Sequence, residues 1–342
     1  MTTSRAGQVL DAGLILADAA AVTVPAMREM IDQQPPGMRR LIGYQLGWWD
    51  TDGARIEGRQ GKTLRPALSL LSCQAVGGVV DQAIPAAVAV ELLHNGMLVH
   101  DDIIDEDELR RGRPTLWKVY GVPTAILVGD VLFLLPAQVL VRAHAPLCIQ
   151  GPDRLVSALQ ISMDGGVTEI LLEQRATATF AEVTQVIAAK TSALMAASCA
   201  LGAVAAGADP DRIDHFHAFG HHLGTAFQIA DDLLGIWGEP VRTGKPVHSD
   251  LHSRKKSLPV VAALTADHPA GRALAELYAD PRPLDAIRAA RLIEEAGGRV
   301  FARQQADQHV RAARAALADA APAPSAAAKL TTLLHFGAHR DH

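Results

Sequence analysis

Three aspartates crowd the stretch Asp101-Asp102-Ile103-Ile104-Asp105. On a helix, Asp101 and Asp105 share a face with Cβ atoms about 6 Å apart, and Asp102 lies beside them. Crowded carboxylates repel, so a buried cluster of this kind needs a cation. Hard divalent ions take oxygen ligands, and Mg2+ commonly joins carboxylates to substrate phosphates. A solvated acidic helix end is the plainer alternative, and it suits Glu106 and Glu108. It suits the aspartates poorly, because Leu98, Val99, Ile103 and Ile104 bracket them with apolar side chains. Arg110 and Arg111 follow. Acids and then arginines describe a site that grips phosphate through metal on one side and guanidinium on the other.

A second acidic pair stands far downstream, in Phe227-Gln228-Ile229-Ala230-Asp231-Asp232-Leu233-Leu234-Gly235, in the same apolar setting. Gly61-Lys62-Thr63-Leu64-Arg65-Pro66 reads as a helix start, where a glycine and the helix N-terminus help admit an anion. Taken alone, Lys62 and Arg65 read as surface cations. His94, two turns before Asp101, reads alone as a core or capping histidine, and Lys190 as a snorkelling lysine. His215, His217, His221 and His222 crowd one segment, and His217 and His221 have an i, i+4 spacing. No HExxH pattern or nearby cysteine completes a zinc site there, so they read as a polar face or a subunit contact.

With both acidic motifs in view, the chain resembles the trans-isoprenyl diphosphate synthases of the polyprenyl synthetase family, over roughly residues 61–259. That family carries a DDxxD motif followed by an arginine pair, then a second DDxxD. The resemblance implies that Mg2+, three ions per site with Mn2+ as a substitute, binds Asp101, Asp105 and Asp231, with Asp102 and Asp232 beside them. It implies that Lys62, Arg65, His94 and Arg111 hold isopentenyl diphosphate. Arg110, Lys190, Lys245 and Lys255 would face the allylic diphosphate, and Thr191 and Gln228 its leaving group. The second motif departs from DDxxD, because its fifth position is Gly235, which removes one possible carboxylate. Another departure is Val167 and Glu169 near places where relatives carry Gln and Asp.

The implied reaction joins isopentenyl diphosphate to an allylic diphosphate, head to tail and trans. Gly96 and Met97 lie one turn before Asp101, where relatives that stop early carry aromatic bulk. Their small and flexible side chains lead to the expectation of a C20 product, geranylgeranyl diphosphate, with C25 or longer also allowed. Two rival readings remain: a class I terpene cyclase on the same fold, and a non-catalytic subunit of a heteromeric synthase. The four implied isopentenyl diphosphate ligands and an aromatic content of 4% speak against the cyclase.

The elements that must position these residues are helical. Hydrophobic residues make up 49% of the 342, and alanine, leucine and valine dominate them. Breaks are expected at Gln34-Pro35-Pro36-Gly37, Gly77-Gly78, Asp209-Pro210 and Trp237-Gly238, and a new helix at Pro152-Asp153. The expectation is a single all-α domain over residues 1–342, an isoprenoid-synthase-type helical bundle around a deep central cavity. Residues 320–328 read as a flexible linker. The resemblance adds a homodimer. A net charge of −5 without a basic run gives no reason to expect nucleic acid. Residues 122–141 are the most apolar stretch, and Asp130 and Pro136 interrupt it, so it reads as a buried core helix with no stable membrane insertion. Cys73, Cys148 and Cys199 are widely spaced and read as reduced thiols, the N-terminus does not read as a signal peptide, and a cytoplasmic enzyme is expected.

Overall fold

The computed structural model describes residues 10–56, 61, 63–175, 177–239, 247–280 and 282–338. The chain divides into two compact units. The first takes residues 1–154, 198–214 and 320–333, and the second takes 155–197, 215–319 and 334–342.

The first unit is built on α1 (Ala12–Asp32), α2 (Pro36–Gln45), α3 (Leu64–Ala75), α4 (Val80–Ile104), α5 (Leu116–Tyr120) and α6 (Val122–Val141). Asp11 caps α1 by accepting from the Gly13 N–H at 2.7 Å, and Pro36 opens α2 at the position where a missing N–H costs nothing. Helix α4 has apolar residues on every side, and such a helix belongs in an interior. It packs against α1, α3 and α6. Met27, Ile31, Ile42, Trp48, Leu92 and Leu132 share its core.

A two-residue hairpin follows α4, with β1 (Leu109–Arg110) antiparallel to β2 (Arg113–Pro114). Its turn residues Arg111 and Gly112 both have positive φ, 55° and 77°, which is the type I′ turn that tight hairpins prefer. Among the described residues, only this hairpin and an isolated bridge between Trp49 and Arg55 pair as strands.

Helix α7 (Leu147–Glu173) starts in the first unit and ends in the second. Then come α8 (Phe180–Ile187), a π-helical turn (Ala188–Ser192), α9 (Ala193–Ala205) and α10 (Pro210–Trp237). After these are α11 (Ser249–His252), α12 (Leu258–Thr265), α13 (Pro269–Ala279), α14 (Ala286–Glu295), α15 (Gly298–Asp319) and α16 (Pro324–Ala338). A capping box starts α8: the Thr179 N–H donates to Glu182 at 2.8 Å and the Glu182 N–H donates back to the Thr179 hydroxyl at 3.2 Å. Two cores serve the second unit, one around Ile187, Ile229 and Val261 and one around Ile236, Leu251 and Ile293.

Three expectations change. Helix α7 begins ahead of Pro152 and runs through it. Residues 320–328 are not a linker: Pro324 opens α16, Ala320 and Ala326 are buried, and the alanines that suggested flexibility are good helix formers. Residues 122–141 form one helix through Pro136, but only one face joins the core. Ile126, Leu127, Leu134 and Val141 are exposed. By length and composition alone, residues 80–104, 122–141, 147–173 and 180–205 could each cross a membrane. The fold buries 78% of the apolar window in the last of these and 39% of that in 122–141.

Of the four clustered histidines, His222 pairs with His309 of α15, Nδ1 to Nδ1 at 3.0 Å, and the His221 ring stands edge-on to His222. Burial and the neighbouring rings pull the His309 imidazole down to about 4, and His222 is lowered too. The folded chain keeps these rings neutral where the unfolded chain would bind protons below about pH 6.5. Their contribution is therefore full above that pH and is lost as pH falls toward 4. We predict that the melting temperature drops between pH 7 and pH 5, and that His309→Leu flattens this slope. An equal slope in the variant would assign the acid sensitivity to other groups.

Candidate active site

In the first unit, α4 delivers the acids and the hairpin delivers the arginines. Asp102 is buried, at 1% exposure, while Asp101 is half-buried and Asp105, at the helix C-cap, is exposed. Arg110 grips Asp102 Oδ1 with Nε and Nη2, both at 2.5 Å, and Nη2 also reaches Asp107 at 3.2 Å. Burial pushes the Asp102 carboxyl up to about 6, against the pull of Arg110. Its other oxygen, Oδ2, is buried without a hydrogen-bond partner.

Side chains alternate along a strand, so the I′ turn sends the two neighbouring arginines to different places. Arg111 lies over Gly61, where a Cβ would stand 2.6 Å from its Nη2. Burial pushes the Glu91 carboxyl up, opposed by Arg65 and Arg111, and Asn95 donates to that carboxyl at 3.3 Å. Burial and the same two arginines hold His94 well below its ordinary range. Arg65, His94 and Arg111 are thus brought together with Glu91, which sequence reasoning missed. Lys62 lies outside the described residues.

At Gly96, α6 comes close. A Cβ there would meet the Phe133 ring at 2.9 Å and Leu132 Cβ at 3.0 Å. A phenylalanine at 96 would strike α6, so aromatic bulk beside this turn already comes from Phe133. The His100 ring stands edge-on to it at 4.9 Å. Met97 is half-buried.

The second unit repeats the division of labour. Asp231 is exposed and Asp232 is buried. Asp232 Oδ1 accepts from Gln228 Nε2 at 3.0 Å and lies 3.8 Å from Lys255 Nζ, while Oδ2 accepts from the Leu258 N–H at 3.2 Å. Burial pushes Asp232 up to about 6, and Lys255 and Gln228 oppose it. For Lys255, burial is outweighed by Asp232, Asp250, Glu169 and Asp231, and its affinity for its proton rises.

The π turn carries Lys190 and Thr191; such turns concentrate at functional sites. Lys190 pairs with Glu169 at 2.6 Å, and Thr191 Oγ1 donates to Gln228 Oε1 at 2.6 Å. Thr191, Gln228 and Asp232 therefore form one chain of hydrogen bonds. Burial raises Glu169, but Lys190 and Lys255 outweigh it and hold the net value below the usual carboxylate range. Beside Gly235, the Asp250 carboxylate occupies the space of the absent side chain. Lys245 lies outside the described residues.

In both motifs the second aspartate is buried beside a cation and the first is less buried, Asp101 being half-buried and Asp231 exposed. A family model described as polyprenyl synthetase matches residues 53–295, well over half of the chain. The chain belongs to the polyprenyl synthetase family. It is 42% identical over 315 residues to a geranylgeranyl diphosphate synthase of Mycobacterium tuberculosis, covering 91% of this chain and 90% of that one. It is 40% identical over 330 residues to a (2E,6E)-farnesyl diphosphate synthase of Mycobacterium bovis, covering 94% and 91%. The crystal structure of a polyprenyl synthetase from Streptomyces coelicolor superposes with a TM-score of 0.91 at 40% identity, covering 96% and 99%. The chain is accordingly a prenyl diphosphate synthase with this family's all-α fold, and Mg2+ dependence is general for such enzymes.

The residues present suit Mg2+. Asp101, Asp105 and Asp231 offer hard oxygen donors, and Asp102 Oδ2 is an orphaned acceptor at the end of α4 that carries Asp101 and Asp105. Among the described residues no group of three or more His, Cys, Asp or Glu side chains stands ready to hold an ion.

Sequence reasoning missed Glu91, Phe133 and the place of Asp250. Glu91 could have been suspected as an acid inside an otherwise apolar run. No spacing rule points to the other two, because each meets its partner from a separate helix.

Removing one partner of a buried ion pair leaves the other charge stranded. We predict that Arg110→Gln costs about 3 kcal/mol of stability, the low end for such pairs because Arg110 is partly exposed. Urea unfolding would read it. An unshifted midpoint would mean that Asp102 does not depend on this guanidinium.

Proposed function

We propose that this enzyme condenses isopentenyl diphosphate with an allylic diphosphate, head to tail and trans, and releases C20 geranylgeranyl diphosphate. The observation that carries the reading is the repeated pairing of a buried, cation-held aspartate with a less buried aspartate just before it. Asp101 and Asp105 of the first unit and Asp231 of the second are the proposed Mg2+ ligands. When bound, the metal supplies Lewis-acid stabilisation of the departing diphosphate. Asp102 and Asp232 fix the helix ends on which those ligands stand.

Arg110, Lys190, Lys245 and Lys255 add positive charge toward the allylic diphosphate. Thr191 gives its hydroxyl proton to Gln228, so it offers oxygen lone pairs to a developing carbocation. The same bonds orient the Gln228 amide, with its oxygen toward Thr191 and its nitrogen toward Asp232. Lys62, Arg65, His94 and Arg111 hold isopentenyl diphosphate. His94, kept neutral beside two guanidinium groups, donates a hydrogen bond without adding charge. The double bond of isopentenyl diphosphate attacks the cation, and the departed diphosphate takes the proton that is lost.

Chain length is the finer part of the reading, since relatives of similar identity are named for both C20 and C15 products. Flexible Met97 favours C20, and Phe133 beside Gly96 is proposed as part of the floor. We treat residues 1–342 as one catalytic domain, because the family model spans residues of both units. The exposed apolar side of α6, with Leu127, Leu134 and Val141, supports a homodimer. A cytoplasmic location accords with three free thiols, Cys73, Cys148 and Cys199.

Purified enzyme with Mg2+ should turn isopentenyl diphosphate and an allylic primer into a C20 alcohol after phosphate removal, read by mass. Geranylgeranyl diphosphate alone should stay unchanged; a cyclic hydrocarbon from it would favour a cyclase, and a C15 end product would move the floor. Asp101→Ala should lose at least ~100-fold in turnover, as metal-site lesions do, while keeping its melting temperature. Sedimentation should show a dimer, and a monomer at micromolar concentration would remove the assigned role of the α6 face.

A further inference from the structure

Helix α11 closes in a Schellman turn. The Lys255 N–H donates to the Asp250 carbonyl at 2.8 Å, and the Arg254 N–H donates to the Leu251 carbonyl at 3.0 Å. Such a turn needs a left-handed residue just after the C-cap, which here is Ser253, and that residue is Arg254, at φ 54°. Glycine takes this conformation at no steric cost, while an L side chain crowds its own backbone there. A residue in that state persists where its surroundings fix it, and such positions cluster at functional sites.

The surroundings of Arg254 are specific. Its Nη1 donates to the Tyr278 carbonyl at 2.7 Å and to that of Leu277 at 3.5 Å. Its Nη2 donates to the Asp280 carbonyl at 2.6 Å and to that of Arg282 at 2.5 Å. Leu277 and Tyr278 lie in the last turn of α13, where carbonyls lack partners within the helix and carry the negative end of its dipole. A planar guanidinium spans such a fan of acceptors, and an ammonium group is only a point charge among them. Glycine would make the turn but could not join it to α13. The other end of α11 is tied as well: His248, at φ 63°, bonds the carbonyl of Ile236 on α10 through its ring nitrogen. A helix of four residues has little stability of its own, so these two ties and the buried Leu251 decide where it stands.

The residue that leaves this turn is Lys255. Its Nζ stands 3.8 Å from Asp232 Oδ1, and Asp232, Asp250, Glu169 and Asp231 together keep it cationic.

We propose that Arg254 is a positioning residue for the allylic diphosphate: by locking a left-handed turn onto the end of α13, it aims Lys255 into the site. This rests on the synthase reading above, in which Lys255 faces that diphosphate.

Steady-state kinetics with each substrate varied in turn test the assignment. Arg254→Gly keeps the turn and removes the tie. It should raise KM for the allylic primer about 10-fold or more and leave KM for isopentenyl diphosphate unchanged, since small misplacements of a binding group are costly. Arg254→Lys keeps the charge without the fork and should fall between wild type and Arg254→Gly. A role confined to stability would move the melting temperature and not this split. Wild-type KM for the primer in Arg254→Gly would overturn the proposal, as would an equal rise in both KM values. If Arg254→Gly does not fold, an unchanged primer KM in Arg254→Lys overturns it. Lys255→Ala is the reference and should show the same selective rise. If it does not, or if the wild type makes no prenyl product, the synthase reading of Lys255 has failed and the proposal falls with it.

Discussion

Two buried carboxylates, each held by one cation, set the terms for everything around them. Taking an ionised carboxyl out of water costs several kcal/mol unless a partner comes with it. Asp102 has Arg110, and Asp232 has Lys255 with two further hydrogen-bond donors. The acid before each of them is less buried, Asp101 being half-buried and Asp231 exposed. The buried acids are fixed by these bonds, and their neighbours stand on the same helices. Both buried acids sit near pH 6, so each stays an anion at neutral pH only because its partner remains in place.

The hairpin after α4 extends the same logic to cations. Two arginines in a row would repel if both turned to the same spot. The I′ turn separates them, one to Asp102 and Asp107, the other to Gly61 and the Glu91–His94 group. Buried Glu91 offsets some of the charge that Arg65 and Arg111 bring to one place. The second unit solves its own crowding by chaining Thr191, Gln228 and Asp232, which fixes the direction of every hydrogen bond among them.

Much of this was legible in the sequence, and the reasons differ by residue. The helices were readable because apolar periodicity, prolines and glycines punctuate them, as at Pro36, Gly77 and Asp209. The acids and their following arginines were readable because their spacing is local. Residues 320–328 misled because alanine and proline together resemble a linker, and only burial of Ala326 shows them in contact with the body. Helix α6 misled in part, since hydropathy reports how apolar a helix is and not which side is covered. The different fates of Arg110 and Arg111, and the filling of the space at Gly235, depend on φ angles and on contacts between separate helices. Neither leaves a periodic trace.

The close approach of Asp250 to Gly235 also constrains how this chain could have changed over time. Neither residue can drift alone. Any side chain at 235 collides with the carboxylate at 250, and loss of the carboxylate at 250 leaves a hollow beside a glycine that no longer needs to be one. A change at either site is therefore felt at the other. A side chain brought in at 235 should be tolerated only where the side chain at 250 can swing aside or is itself made smaller.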